Sequence, residues 1–226
     1  RCAGCLLGKP VEGWRFATME GYLHALERYP LDDYFRSDVP QDIVQKFIRH
    51  PDGPFVNNVS HMVEDDDTNY TVMALALMKQ KGLSFSPEDV GNFWLGAIPL
   101  LHTCTAERVA YRNLSLLIPP PSSAVFRNPY REWIGAQIRA DFYGYAATGR
   151  PDRAAALAWR DASISHVRNG IYGAMWVAAM VAAAPFEETA EEIIKAGLAQ
   201  IPVHSRLSRD IQQVLDWWKS GVTYED

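Results

Sequence analysis

The sequence predicts an all-α fold. Two observations carry that expectation: apolar residues recur at three- and four-residue spacing through most of the chain, and no hairpin dipeptide sits between alternating apolar runs. A third is the set of helix start and stop signals that bracket the periodic stretches. Residues 69–81 read NYTVMALALMKQK and stop at Gly82. Ser86-Pro87-Glu88-Asp89 opens the next helix, with a Ser cap, Pro at the first helical position and acids in the first turn. A helix is expected over residues 131–148, ended by Gly149. Asp152 is expected to cap an alanine-rich helix running to about Ser165. Helices over residues 169–184 and 187–200 follow. The last begins after Ser205 and ends near Gly221, with Leu207, Ile211, Leu215 and Trp218 on one stripe. Long loops are expected over residues 28–40, 51–62 and 117–129. The last contains Pro119-Pro120-Pro121 and is stiff. Loops of this length inside a compact domain often carry function. No repeat, linker or domain boundary is visible, which predicts a single helical domain over residues 1–226.

The chain of 226 residues is 48% apolar and 22% charged, enough for a substantial core. No stretch approaches the ~20 apolar residues that a membrane helix requires. The longest candidate, residues 172–185, is short and rich in alanine. The net charge of −5 and the scattered Lys and Arg argue against a nucleic-acid partner. A small anionic ligand in a local pocket is compatible with both. Three cysteines, Cys2, Cys5 and Cys104, do not make a secreted disulfide scaffold. Cys2-Ala3-Gly4-Cys5 has C-x-x-C spacing, but no second pair or paired histidines complete a zinc site, so packing in a small-residue helix is the expected role, with a redox role the alternative. No signal peptide is visible, which predicts a cytoplasmic location. The chain opens at Arg1 within an apolar pattern and without Met, so residues are expected to precede it.

The most concentrated chemistry is Glu64-Asp65-Asp66-Asp67-Thr68, four carboxylates entering an apolar helix. Like charges this close raise one another's pKa and cost energy. A helix N-terminus offsets part of that cost through free N–H groups and partial positive charge. A hard cation such as Mg²⁺ or Mn²⁺, which takes oxygen ligands, offsets more. One or two acids suffice for a cap and here there are four; the sequence leaves both accounts open. The preceding Asn57-Asn58-Val59-Ser60-His61 is polar and turn-like, placing the run on a loop that enters a helix.

Four other positions are candidates. Glu12, in Gly8-Lys9-Pro10-Val11-Glu12-Gly13-Trp14, is either a pocket carboxylate or a solvated turn residue. His166, in Ser163-Ile164-Ser165-His166-Val167-Arg168-Asn169-Gly170, either orients a ligand and moves a proton or is a partner for a helix C-terminus. Arg139 and Asp141 either pair with each other, contact phosphate or face solvent. Residues 103–108 form either a pocket rim or a helix start capped by Thr105. Trp94, Trp133, Trp159, Trp176, Trp217 and Trp218 are expected mostly in the core.

Taken together, Gly4-Cys5-Leu6-Leu7-Gly8-Lys9-Pro10-Val11-Glu12, Asp65-Asp66-Asp67-Thr68, the segment from Arg139 to Tyr145 and Ser165-His166 resemble the ADP-ribosylglycohydrolase family, which includes the dinitrogenase reductase-activating glycohydrolases. The resemblance implies a compact orthogonal bundle of helices and two adjacent Mg²⁺ or Mn²⁺ ions. It implies hydrolysis of the glycosidic bond between ADP-ribose and a protein side chain or small acceptor. By that likeness, Asp65, Asp66 and Asp67 would be metal ligands, with Asp65 standing where the family has Thr. Glu12, Asp66 and Asp67 would be catalytic, and Gly135, Arg139 and His166 would bind substrate, Arg139 holding ribose or diphosphate. The family's Gly-Asn-Gly-x-x-Met-Arg-like loop reads Trp133-Ile134-Gly135-Ala136-Gln137-Ile138-Arg139 here, without the Asn. After Thr68 no Asp-x-Asp occurs, so the second-half metal ligands are absent from this chain, and the fold is expected to be incomplete at its C-terminus. The expected partner is an ADP-ribosylated protein or small molecule. The alternative implied is an inactive, truncated relative that binds ADP-ribose or a protein.

Overall fold

A computed structural model describes residues 2–62 and 64–223. Arg1 and Asp226, the limits of the expected domain, lie outside the described residues. All regular structure among the described residues is helical, with thirteen α-helices and three short 3₁₀ segments, as expected for an all-α chain. No helix among the described residues is long and apolar enough to cross a membrane. Contacts divide the chain into two compact units, Arg1–Asn69 and Tyr70–Asp226, with the division falling inside a helix.

The first unit contains α1 (Cys2–Gly8), a 3₁₀ turn at Lys9–Val11, α2 (Phe16–Ala25), α3 (Gln41–Phe47) and the start of α4 (Asp66–Lys81). Helices α2 and α3 lie outside the stretches where the sequence predicts helix. The first carries only a weak apolar stripe and the second is seven residues long, so tertiary burial decides them. Tyr22, Leu23, Phe35, Ile43, Val44, Ile48 and Phe55 form the core of this unit. Trp14 packs edge-on against Tyr22 with ring centres 5.8 Å apart. The loops over residues 28–40 and 51–62 are held by side chains: the Tyr22 hydroxyl donates to the Arg36 carbonyl at 2.6 Å, and Asn57 Oδ1 accepts from the Ser37 amide at 2.9 Å.

The second unit takes in the rest of α4, then α5 (Pro87–Ala97), α6 (Thr105–Ser115), α7 (Ser122–Val125), α8 (Gly135–Ile138), α9 (Asp141–Ala146), α10 (Pro151–Ala162), α11 (Asn169–Ala183), α12 (Ala190–Leu198) and α13 (Arg206–Lys219). Helix α5 begins as expected: Ser86 accepts from the Asp89 amide, and Asp89 accepts in return from the Ser86 amide. Thr189 and Glu192 make the same reciprocal cap on α12, three residues later than expected. Helices α10 and α11 bury alanines, including Ala154, Ala158, Ala174 and Ala178, and these small side chains let the backbones approach closely.

Several expectations are corrected. The single helix over residues 131–148 is two short ones, α8 and α9, broken at Arg139 and Ala140. Asp152 does not cap α10; it lies inside the first turn and pairs with Arg150, the residue at the cap position. Thr105 is the first residue of α6 rather than its cap. Of the tryptophans, Trp94 is buried, whereas Trp133, Trp159, Trp217 and Trp218 are exposed. The α13 stripe holds for Leu207, Ile211 and Leu215, but Trp218 is 63% exposed because the helix has passed beyond its packing partners.

Candidate functional site

In the first unit the acidic run is built around a helix start. Helix α4 begins at Asp66, three residues before the apolar period, because Asp65 serves as its cap: Asp65 Oδ1 accepts from the Asp67 amide at 3.0 Å. The Thr68 hydroxyl donates to the Asp65 carbonyl at 2.9 Å, and Asp66 Oδ1 accepts from the Asp67 amide at 3.1 Å. Asp65 is buried, while Asp66 and Asp67 are half-buried.

Three side chains converge here. Ligand atoms of Cys5, Asp65 and Asp67 lie within 4.8 Å of one another. Asp66 is outside that group, and Cys5, from α1, takes the third place. Cys5 is thus more than a packing residue: its thiol donates to Asp65 Oδ1 at 3.7 Å. The Lys9 ammonium approaches from the 3₁₀ turn, 3.1 Å from Asp65 Oδ2 and 3.0 Å from Glu12 Oε2. Glu12 itself is 71% exposed at its side chain. Burial pushes the Asp65 carboxyl upward, but hydrogen bonds from Lys9 and from the Asp67 amide outweigh it and hold the group below the ordinary aspartate value. Burial likewise opposes the Lys9 charge, and its bonds to Glu12 and Asp65 prevail, raising its pKa. Of the expected residues, the first unit therefore joins Glu12 to Asp65 through Lys9 and sets Asp67 beside Asp65.

The second unit gathers Gly135, Arg139 and His166 around two acids that carry no local signal, Glu107 and Asp161. Arg139 is 2% exposed. Its Nε donates to Asp161 Oδ2 at 2.5 Å, its Nη1 to Glu107 Oε1 at 2.7 Å and its Nη2 to Ser165 Oγ at 2.8 Å. Trp94 and Tyr70 flank the guanidinium, with centroids at 4.9 and 5.8 Å. Arg139, expected to pair with Asp141 or meet an anion, is turned inward instead. Asp141 accepts from the Thr71 hydroxyl at 3.1 Å. Gly135 is obligatory beside Glu107: a Cβ there would stand 2.0 Å from the Glu107 carboxylate oxygen.

His166 follows the turn that ends α10 and is fully buried. Its Nδ1 lies 2.8 Å from Ser165 Oγ. Its Nε2 has no hydrogen-bond partner and stands 4.0 Å from Glu107 Oε1. Burial, with help from the Arg139 charge, pushes the His166 pKa down to about 3. The backbone of this turn is pinned by the Pro-rich loop: the Ser123 hydroxyl donates to the Ile164 carbonyl at 2.7 Å, and Asn128 Nδ2 donates to the Ser165 carbonyl at 3.1 Å. Gly170 leaves room for the ring, since a Cβ there would meet His166 Cδ2 at 2.9 Å.

The sequence profile of the ADP-ribosylglycohydrolase family matches residues 1–225. The chain belongs to the ADP-ribosylglycohydrolase family. It is therefore of glycohydrolase type, and its all-helical architecture agrees with that family's fold. No curated protein and no solved structure matches the chain. Within the family frame, Glu107, Asp161, Cys5 and Lys9 are the residues that sequence reasoning passed over. Glu107 lies in the segment read as either a pocket rim or a helix start, and an acid inside a helical period looks solvated until its cationic partner, 22 or 32 residues away, is known.

Proposed function

We propose that the protein is a metal-dependent hydrolase that cleaves the glycosidic bond joining ADP-ribose to a protein side chain or small acceptor. Family membership supplies the reaction type. The observation that carries the metal dependence is the convergence of Cys5, Asp65 and Asp67 within 4.8 Å at the start of α4.

The donor set fits a cation. Two carboxylates in close approach suit Mg²⁺ or Mn²⁺, and a neighbouring thiol leans toward the softer Mn²⁺. Asp65 and Asp67 would hold the ion, with Asp66 supplying a further carboxylate from the same turn. A bound ion would polarise the ribose hydroxyls and lower the pKa of water. Glu12, exposed and tethered by Lys9, would orient or deprotonate the attacking water at the anomeric carbon. Within the second unit, His166 would offer a hydrogen bond to a ligand oxygen, and Gly135 leaves the space that the Glu107 carboxylate occupies. Arg139 would act from behind, holding Ser165 and His166 in place, because its guanidinium is committed to Asp161, Glu107 and Ser165.

The test is release of ADP-ribose from an ADP-ribosylated protein, followed with Mg²⁺ and with Mn²⁺. Release that needs the metal, stops with EDTA and falls at least a hundredfold in Asp66→Asn supports the assignment. No release with either metal overturns it.

A further inference from the structure

We propose that Arg139 and Ser165 lock His166 as the neutral tautomer carrying its proton on Nε2, so that the ring acts only as a hydrogen-bond donor and never as a base. The inference rests on the function proposed above for its consequence, but on geometry alone for its substance.

The donors and acceptors around Ser165 Oγ decide the tautomer. Arginine has donors and no acceptor. Arg139 Nη2, 2.8 Å from Ser165 Oγ, must therefore donate to that oxygen. A serine hydroxyl has one proton of its own to give. Of the two groups shown bonding to this oxygen, only His166 Nδ1, 2.8 Å away, can accept that proton, whereas an Nδ1–H would take the second lone pair of Oγ and leave the buried hydroxyl proton unpaired. Nδ1 then accepts, and in a neutral imidazole the remaining proton must sit on Nε2. The opposite side of the ring agrees: Nε2 faces a carboxylate oxygen, Glu107 Oε1, at 4.0 Å, which favours an N–H over a lone pair. Two buried acids on either side of Arg139 keep the guanidinium in register, and its fork cannot rotate away from Ser165 without breaking both pairs.

The geometry also explains why His166 tolerates an unpartnered buried nitrogen. A buried donor left unsatisfied is costly, and such groups cluster where a ligand or a reaction uses them. A pinned donor with an open valence is what a site needs to bind an oxygen. It is the wrong instrument for taking a proton, since Nδ1 is blocked by Ser165 and Nε2 is already protonated. Ser165, Arg139, Glu107 and Asp161 are positioning residues for His166.

The test is nitrogen-detected NMR of ¹⁵N-histidine-labelled protein at neutral pH, with His166→Gln identifying the signal. The expected result is a protonated, pyrrole-like Nε2 and an unprotonated, pyridine-like Nδ1. Ser165→Ala should blur this into a tautomeric mixture, and Ser165→Thr, which keeps the hydroxyl, should restore the wild-type pattern. A wild-type signal with Nδ1 protonated overturns the proposal, as does Ser165→Ala retaining the wild-type pattern. If Ser165→Ala does not fold, the wild-type and Ser165→Thr spectra decide. The ADP-ribose release assay is run on the same samples. Loss of release in the wild type would refute the hydrolase assignment while leaving the tautomer result standing.

Discussion

Lys9 Nζ stands 3.1 Å from Asp65 Oδ2 and is itself half-buried, so an ammonium is already seated beside the carboxylate group proposed to hold a metal. Coulombic repulsion between that ammonium and an incoming dication, at an effective dielectric between surface and interior, is worth about 1–2 kcal/mol after allowance for solvent. Lys9→Met should therefore bind Mn²⁺ about tenfold more tightly than the wild type, measured by calorimetric titration. Without metal the same variant should be less stable, because Asp65 and Glu12 lose their shared counter-charge.

The two duties of Asp65 are separable by chemistry. Asparagine caps a helix nearly as well as aspartate, whereas alanine does not. Asp65→Asn should keep the thermal midpoint of the metal-free protein close to that of Asp65→Glu or above it, yet lose Mn²⁺ binding. Asp65→Ala should lose both, with about 1 kcal/mol of stability gone with the cap. Thermal unfolding with and without Mn²⁺ reads the distinction.

Removing Arg139 leaves two acids buried without a cation. Breaking a buried pair from one side typically costs about 3–5 kcal/mol, so Arg139→Met should be strongly destabilised in urea unfolding. Arg139→Lys should recover only part of the loss, because an ammonium cannot address Asp161, Glu107 and Ser165 at once.

Acid should weaken the protein through His166. Its pKa is about 3 in the folded chain against 6.5 for the free side chain. Between those values the unfolded state holds more protons, so stability rises with pH and is lost as pH falls below about 6.5. The slope contributed approaches about 1.4 kcal/mol per pH unit. His166→Gln should flatten stability between pH 4 and 6.5 relative to wild type in denaturant titrations. Asp65, whose depressed pKa acts in the same direction at lower pH, persists in the variant and serves as the internal control.

Local signals explain what was legible. Ser86-Pro87-Glu88-Asp89 announces α5 because cap, proline and acids act within one turn, and the structure forms that cap. The acidic run was legible as a helix entrance with two competing uses, and Asp65 performs the capping one while sitting in the ligand group. The break at Arg139 was not legible. Nothing within residues 131–148 forbids a helix; the interruption answers to Glu107 and Asp161, acids placed on α6 and α10. Cys5 and Lys9 were hidden for the same reason, since their partner Asp65 lies far along the chain. His166 and Ser165 were visible as a pair, but their dependence on Arg139 could be known only from three dimensions.

The bare α-carbon of Gly135 carries an evolutionary consequence. Position 135 has room for hydrogen only because an acid at 107 reaches into the volume a methyl would take, 2.0 Å away. Position 135 cannot drift alone: a lineage that gains a side chain there must first shorten residue 107, and with it surrender one of the two anions that anchor Arg139. Homologues with a side chain at 135 should accordingly also lack a long acid at 107.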